Sequence, residues 1–205
     1  VRILAHMAKI KYIPEVIEAF LNCDKGDHEV NYLITDYNPF KDDLYDLSLQ
    51  MSLRGRTNIA YKMEAARSIA LKNNYQAIFN VEDDNLIPKD ALLKLVASDK
   101  NLISGMYRYR VSRKPHTPLM PEKEKSRLNF KDEDLNTGVR EAYLIPWGCT
   151  LFKRDILKRF SFTPELDGGY MKTIREAGVK AWVETSVHVG HYDVASDGSM
   201  IRTDV

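Results

Sequence analysis

The stretch "YQAIFNVEDDNLIPKDALLKL", Tyr75 to Leu95, constrains this chain more than any other. Ala77 to Val81 are mostly apolar and read as a buried strand. The strand runs directly into Glu82, Asp83, Asp84 and Asn85, and a helix pattern opening on Pro88 follows. Carboxylates crowded into one turn repel each other, a cost that a cation among them removes. In open α/β sheets, ligands bind outside the carboxyl ends of strands. The pattern therefore predicts a divalent metal, with a phosphate-bearing ligand held through it. The alternative is a solvated acidic turn, favoured by the positive end of the helix dipole.

The flanking segments alternate between strand and helix patterns, which predicts an α/β fold with a mostly parallel sheet. "VRILAHMA" opens as a strand. Pro14 suits the first turn of a helix whose apolar face is Ile17, Phe20 and Leu21. "VNYLITD" is a second strand ending on Asp36, where an Asx-turn is the plain structural alternative to a site role. Asn58 is placed to cap a helix carrying Ile59, Met63, Ala66 and Ala70 on one stripe. Ala91, Leu92, Leu95 and Val96 form the next amphipathic helix.

In the second half, "NLISGMYRYRV" reads as a strand with Tyr107, Tyr109 and Val111 opposite Arg108 and Arg110, the arginines solvating an edge, with phosphate binding the alternative. Ser112 to Glu141 is polar and interrupted by Pro115, Pro118 and Pro121, the pattern of a long loop or lid. "EAYLIPWGCTLF" returns to strand, and a short helix covers Asp155 to Phe160. A further helix ends at Gly178, and "VKAWVETSVHVGHY" supplies one or two closing strands. Asp132, Asp134 and Asn136 imitate the start of a calcium loop. However, Gly138 falls one place late and Tyr143 stands where the closing Glu belongs.

The 205 residues suffice for one domain with a full core, and 44% hydrophobic content is ordinary for a globular protein. A formal net charge of +1 gives no reason to expect a nucleic-acid partner. Cys23 and Cys149 read as buried thiols in a reducing, cytoplasmic setting. No run of 18 apolar residues is present, so no membrane span is expected in this chain. Val1 in place of Met suggests a processed or excised catalytic segment, which leaves membrane association open to other parts of a longer parent chain.

Taken in order, these segments resemble the GT-A-fold nucleotide-sugar glycosyltransferases of the family 2 type. "IFNVEDDN" is similar to the DxD turn, with Glu82 in place of the first Asp and Asp84 as the second. "GRTNIAYKMEAARSIALKNNYQAIFNVEDD" resembles the helix bearing an Arg, here Arg67, before the DxD strand. "WGCTLFKRDIL" is similar to the acceptor-side strand and helix. "ELDGGYMKTIREAGVKAWVETSVHVGH" resembles the acidic motif, helix and strand that end in a metal-binding His. The resemblance runs from Val1 to Tyr192. It implies a Rossmann-like sheet flanked by helices with a smaller acceptor-side part. Residues 1–100 would form the nucleotide-binding half and 101–205 the acceptor-binding half of a single catalytic domain.

The implied reaction moves a sugar from a nucleoside-diphosphate sugar, a UDP-sugar first, to a glycan or other hydroxyl acceptor. Mn²⁺ or Mg²⁺ would bridge the diphosphate and offset the charge of the leaving group. Metal ligands would be Asp84, Glu82 directly or through water, and His191, the imidazole after Gly190; His188 would alternate into the sheet. The spacing lacks the helix of a zinc HExxH site. Asp36 would face the uridine or ribose, with Ala5, His6 and Met7 lining the base pocket, and Asp83 and Arg67 would stand near the diphosphate. Asp167 is the implied general base, although Leu166 replaces the usual Glu before it and a helix cap is the alternative. Trp147 and Gly148 would form the acceptor floor, with core packing of Trp147 the alternative.

Two other classes remain. A nucleotidyltransferase that makes sugar nucleotides needs a Gly-rich phosphate loop after the first strand, and "AHMAKIKY" has Lys9 and Lys11 but no glycine. A non-catalytic binding domain of the same fold is compatible with Glu82 and the altered acid pair.

Overall fold

The computed structural model describes residues 1–9, 12–37, 53–107, 132–194 and 200–203. In chain order the elements are β1 (Arg2–Ala8), α1 (Pro14–Leu21), β2 (Glu29–Thr35), α2 (Leu53–Lys72), β3 (Ala77–Glu82), β4 (Asn85–Leu86) and α3 (Ala91–Ala97). They continue as β5 (Leu102–Tyr107), a 3₁₀ turn (Asp132–Asp134), β6 (Val139–Ala142), β7 (Thr150–Lys153), α4 (Arg154–Arg159), α5 (Leu166–Glu176), β8 (Ala181–Val194) and β9 (Met200–Thr203).

The strands pair in the order β2-β1-β3-β7-β5-β8-β4, with β6 and β9 also on β8. From β2 to β8 along this path the strands share one direction except β7, which runs antiparallel to both β3 and β5. The central sheet is therefore mostly parallel. Its inner strands β1 and β3 are covered on both faces, and the alternation along them sorts the core into two layers. Ile3, Ala5 and Met7 of β1 join Ala77, Phe79 and Val81 of β3 under α1 and α3. Leu4 and Ile78 face the other way, against Met63, Ala66 and Ala70 of α2 and the residues of α4 and α5.

Several local expectations change. Helix α3 begins at Ala91, not Pro88; Pro88 instead opens a turn whose carbonyl accepts from the Ala91 amide at 3.0 Å. On α1 the buried side chains are Val16 and Phe20, while Leu21 is exposed. Asn58 is no cap, because α2 starts at Leu53 and carries Asn58 inside it, fully buried. The end of the expected loop is strand β6, held by β8. "EAYLIPWGCTLF" is two strands separated by an irregular turn, not one. Arg108, Arg110 and the loop through residue 131 lie outside the described residues. Cys23 and Cys149 are buried free thiols, as expected. Among the described residues, no helix is long and apolar enough to cross a membrane.

β8 carries the largest irregularity. Gly105 pairs with Glu184 but Met106 pairs with His188, so residues 185–187 are looped out. The loop is tied down: the Thr185 hydroxyl donates to the Gly138 carbonyl at 2.9 Å, and the Lys94 ammonium donates to the Ser186 carbonyl at 3.0 Å. After two further pairs with β5, at His188 and Val189, β8 leaves the central sheet and takes β4 and β9 as partners. Bulges of this kind re-aim the side chains that follow them.

Candidate functional site

The carboxyl ends of β1, β2 and β3 meet at one edge, and the tail of β8 reaches it through β4. Asn85 pairs with His191, and the Tyr192 amide donates to the Asp84 carbonyl at 2.8 Å. This pairing sets His191 Nε2 3.5 Å from Asp84 Oδ1, with both side chains almost fully buried. The Asn85 amide also donates to Asp84 Oδ1, at 3.2 Å. Two members of the metal set expected from the sequence are thus brought together from distant parts of the chain.

The three acids of the turn point to different neighbours. Asp84 faces His191, Asp83 lies in the field of the Lys62 ammonium, and Glu82 lies under Gly148. A Cβ on Gly148 would fall 2.0 Å from Asn85 Oδ1 and 2.8 Å from Glu82 Oε2, so any side chain there would force Asn85 and Glu82 to move. Among the described residues, no three His, Cys, Asp or Glu side chains come together as a metal cage. Asp84 and His191 supply one hard oxygen and one imidazole nitrogen, a pair that would fit a divalent ion only with further oxygens, such as those of a phosphate, in its shell. Asn85 Oδ1, buried beside them, has no hydrogen-bond partner among the described residues.

Behind the acidic turn runs a buried polar chain. Asn80 donates from Nδ2 to the Trp147 carbonyl at 2.8 Å, which leaves its Oδ1 as an acceptor. His6 Nδ1–H therefore donates to Asn80 Oδ1 at 2.7 Å, and His6 Nε2 accepts from the Thr35 hydroxyl at 2.9 Å. Burial holds the imidazole neutral, with its pKa lowered to about 4. The chain links β2, β1, β3 and the turn before β7, one residue each from Asp36 and Gly148. His6 is fully buried and braces the site from within, while Ala5 and Met7 lie in the core on the opposite face of the sheet. None of the three offers a surface to a base.

Other expected residues fall elsewhere. Asp36 follows β2 and is exposed at the site's edge. Arg67 turns away from the acids: its Nε donates to the Leu157 carbonyl at 2.6 Å, and it pairs with Glu64, tying α2 to α4. Trp147 is 2% exposed and packs edge-on against Phe162 and Tyr170, so it is core and presents no acceptor floor. Nε2 of His188 is bonded to the Thr185 carbonyl at 3.0 Å inside the bulge. Asp167 lies in the first turn of α5, with its side chain outside the described residues.

The residue that sequence reasoning missed is Lys62. It is 1% exposed, its ammonium donates to the Lys9 carbonyl at 2.5 Å, and it feels both Asp83 and Asp36. Desolvation lowers its pKa to about 8 despite those carboxylates, so it remains largely charged at neutral pH. A signal was present: Lys62 lies one position before Met63 and four before Ala66, on the border of the apolar stripe of α2.

The sequence matches no known family profile and no curated relative. Among solved structures, A197 from STIV superposes with a TM-score of 0.60 at 15% identity, covering 98% of this chain and 93% of that one. The fold is Rossmann-like and of the GT-A type. A structure of S. aureus TarS 1–349 in complex with UDP also matches, at 14% identity and a TM-score of 0.46, over 89% of this chain and 56% of that one. That looser likeness adds nothing to the fold assignment.

Proposed function

We propose that this GT-A-type chain is a glycosyltransferase, taking a sugar from a nucleoside-diphosphate donor, a UDP-sugar first, to a hydroxyl acceptor. The observation that carries the reading is the meeting of Asp84 and His191 at the carboxyl end of β3, where this sheet type receives its ligands. Asp84 and His191 would hold Mn²⁺ or Mg²⁺, with Glu82 reaching it through water. When bound, the ion offsets the negative charge that develops on the departing diphosphate.

The chain's own residues do the rest. Asp36 at the exposed end of β2 would accept from the ribose or base. Residues 1–100 form the donor half in this reading, and 101–205 the acceptor half. Asp167, opening α5, would take the proton of the attacking acceptor hydroxyl as that oxygen bonds to the anomeric carbon. Buried Asp84 is held by a backbone bond on one side and by Asn85 on the other, so its carboxylate is oriented before a ligand arrives.

Calorimetric titration of UDP and GDP with and without Mn²⁺ tests the proposal. Binding of one nucleotide that Mn²⁺ strengthens, an enhancement abolished by Asp84→Ala in a folded protein, is the expected result. If neither nucleotide binds under any condition, the chain is a non-catalytic member of the fold.

A further inference from the structure

Lys62 carries an inference that rests on the donor-site reading above. Long cationic side chains are rarely fully buried, and an ammonium withdrawn from water must find partners. Among the described residues, the Lys62 ammonium donates to one main-chain carbonyl, that of Lys9, just past β1. Lys9 in turn is tied to β2, its amide donating to the Thr35 carbonyl at 2.8 Å. The charged groups that act on Lys62 are, among the described residues, Asp83 at the end of β3 and Asp36 after β2, with Lys9 as the opposing cation. Among the described residues, a single ammonium is therefore buried where three parallel strands deliver their carboxyl ends, on the side of the sheet that also holds His6 and Asn80.

Simple stability does not require this arrangement. Lys62 belongs to α2, whose neighbours Met63 and Ala66 pack into an apolar layer, and an apolar residue would extend that layer without a desolvation cost. What the ammonium alters is the charge of the edge. Asp36, Glu82, Asp83 and Asp84 together make it strongly anionic, and such an edge attracts a free divalent cation while repelling a diphosphate. A fixed positive charge beneath the acids reverses part of both effects.

We propose that Lys62 is a positioning residue for the anionic part of the donor: a built-in counter-ion, buried and held on the Lys9 carbonyl just past β1, that lets a nucleoside diphosphate approach the acidic edge. It weakens capture of a bare metal ion and strengthens capture of the diphosphate, so metal and nucleotide enter together. The residue works through the field it sets and needs no contact with the sugar.

Calorimetry on Lys62→Gln and Lys62→Arg, with UDP, uridine and Mn²⁺ each titrated alone, tests this. Gln keeps a donor for the Lys9 carbonyl and removes the charge; Arg keeps both. In Lys62→Gln, UDP affinity is expected to fall by about tenfold while Mn²⁺ affinity rises several-fold, and uridine affinity stays at its wild-type value. Lys62→Arg is expected to follow the wild type. Parallel weakening of all three ligands in Lys62→Gln would show a purely structural lysine and overturn the proposal, as would an unchanged UDP affinity. Should Lys62→Gln not fold, the wild type in EDTA decides: UDP binding at least as tight as uridine supports the proposal, and UDP binding about tenfold weaker overturns it. Wild-type protein that binds no nucleotide removes the donor reading itself, and the inference with it. Wild-type binding that Lys62→Gln leaves intact removes only the inference.

Discussion

Two buried regions of this protein lie a few residues apart and obey different rules. One is the polar edge where β1, β2, β3 and the tail of β8 converge, with Lys62, Asp83, Asp84, Asn85 and His191 buried together. The other is the aromatic cluster beneath α5, where Trp147, Phe152, Phe160, Phe162 and Tyr170 meet edge-on or stacked. In the aromatic cluster, burial is favourable by itself and shape decides the packing. At the polar edge each buried charge must be offset, so its position is informative about function. The turn at Trp147 and Gly148 divides the two regions: the Trp ring belongs to the aromatic cluster, and the Gly backbone supports the acids.

The largest expected effect tests that division directly. Trp147→Ala empties a site in the aromatic cluster and should cost about 3–5 kcal/mol of stability in chemical denaturation. A variant of near wild-type stability would mean that the ring is not core.

The polar edge has its own signature in pH. His6 has a folded pKa of about 4 against 6.5 for the free side chain. The unfolded chain therefore takes up a proton before the folded one does. The contribution of neutral His6 is complete above pH 6.5 and is lost as the pH falls through about 4. The loss should approach about 3 kcal/mol and should vanish from the stability-versus-pH curve of His6→Gln. Curves of equal slope for wild type and variant would place the titration elsewhere.

Gly148→Ala comes next. Its new methyl group meets Asn85 and Glu82, so a loss of roughly 1–3 kcal/mol is expected, together with weaker metal-dependent UDP binding. Loss of stability without loss of binding would detach Gly148 from the site. The smallest effect belongs to Arg67→Met, which removes the bond to the Leu157 carbonyl at about 1 kcal/mol and should leave UDP affinity untouched. A clear drop in that affinity would return Arg67 to the donor side.

Much of the fold was legible because its signals are local. The apolar runs of β1 and β3, Pro14 at the start of α1, and Gly178 with φ of 74° just past α5 each act over a few residues. The same holds for Asp84, which any chain must place at the end of the apolar run 77–81. Other features were illegible for equally physical reasons. Asn58 reads as a cap until a helix is seen to begin before it. Arg67 and Lys62 are cations on the same helix, and the sequence does not say which faces the acids. Lys62 stands at the border of the apolar stripe, and the packing of α2 against β1 turns it toward the strand ends.

His191 was named through the family resemblance, and periodicity along β8 alone would not have placed it. Counting alternate residues from Ala181 fails beyond the looped-out segment 185–187, because His188 takes the pairing position that an unbroken strand would give to Thr185. The sequence alone determined the alternating elements, the buried strand and the acids at its end, since chain connectivity and side-chain chemistry decide these within a few residues. Tertiary structure decided which residues answer those acids: His191 through the pairing of β8 with β4, Lys62 through helix packing, and Gly148 through contact. Each of these partners comes from a distant part of the chain, and only the assembled sheet sets their distances.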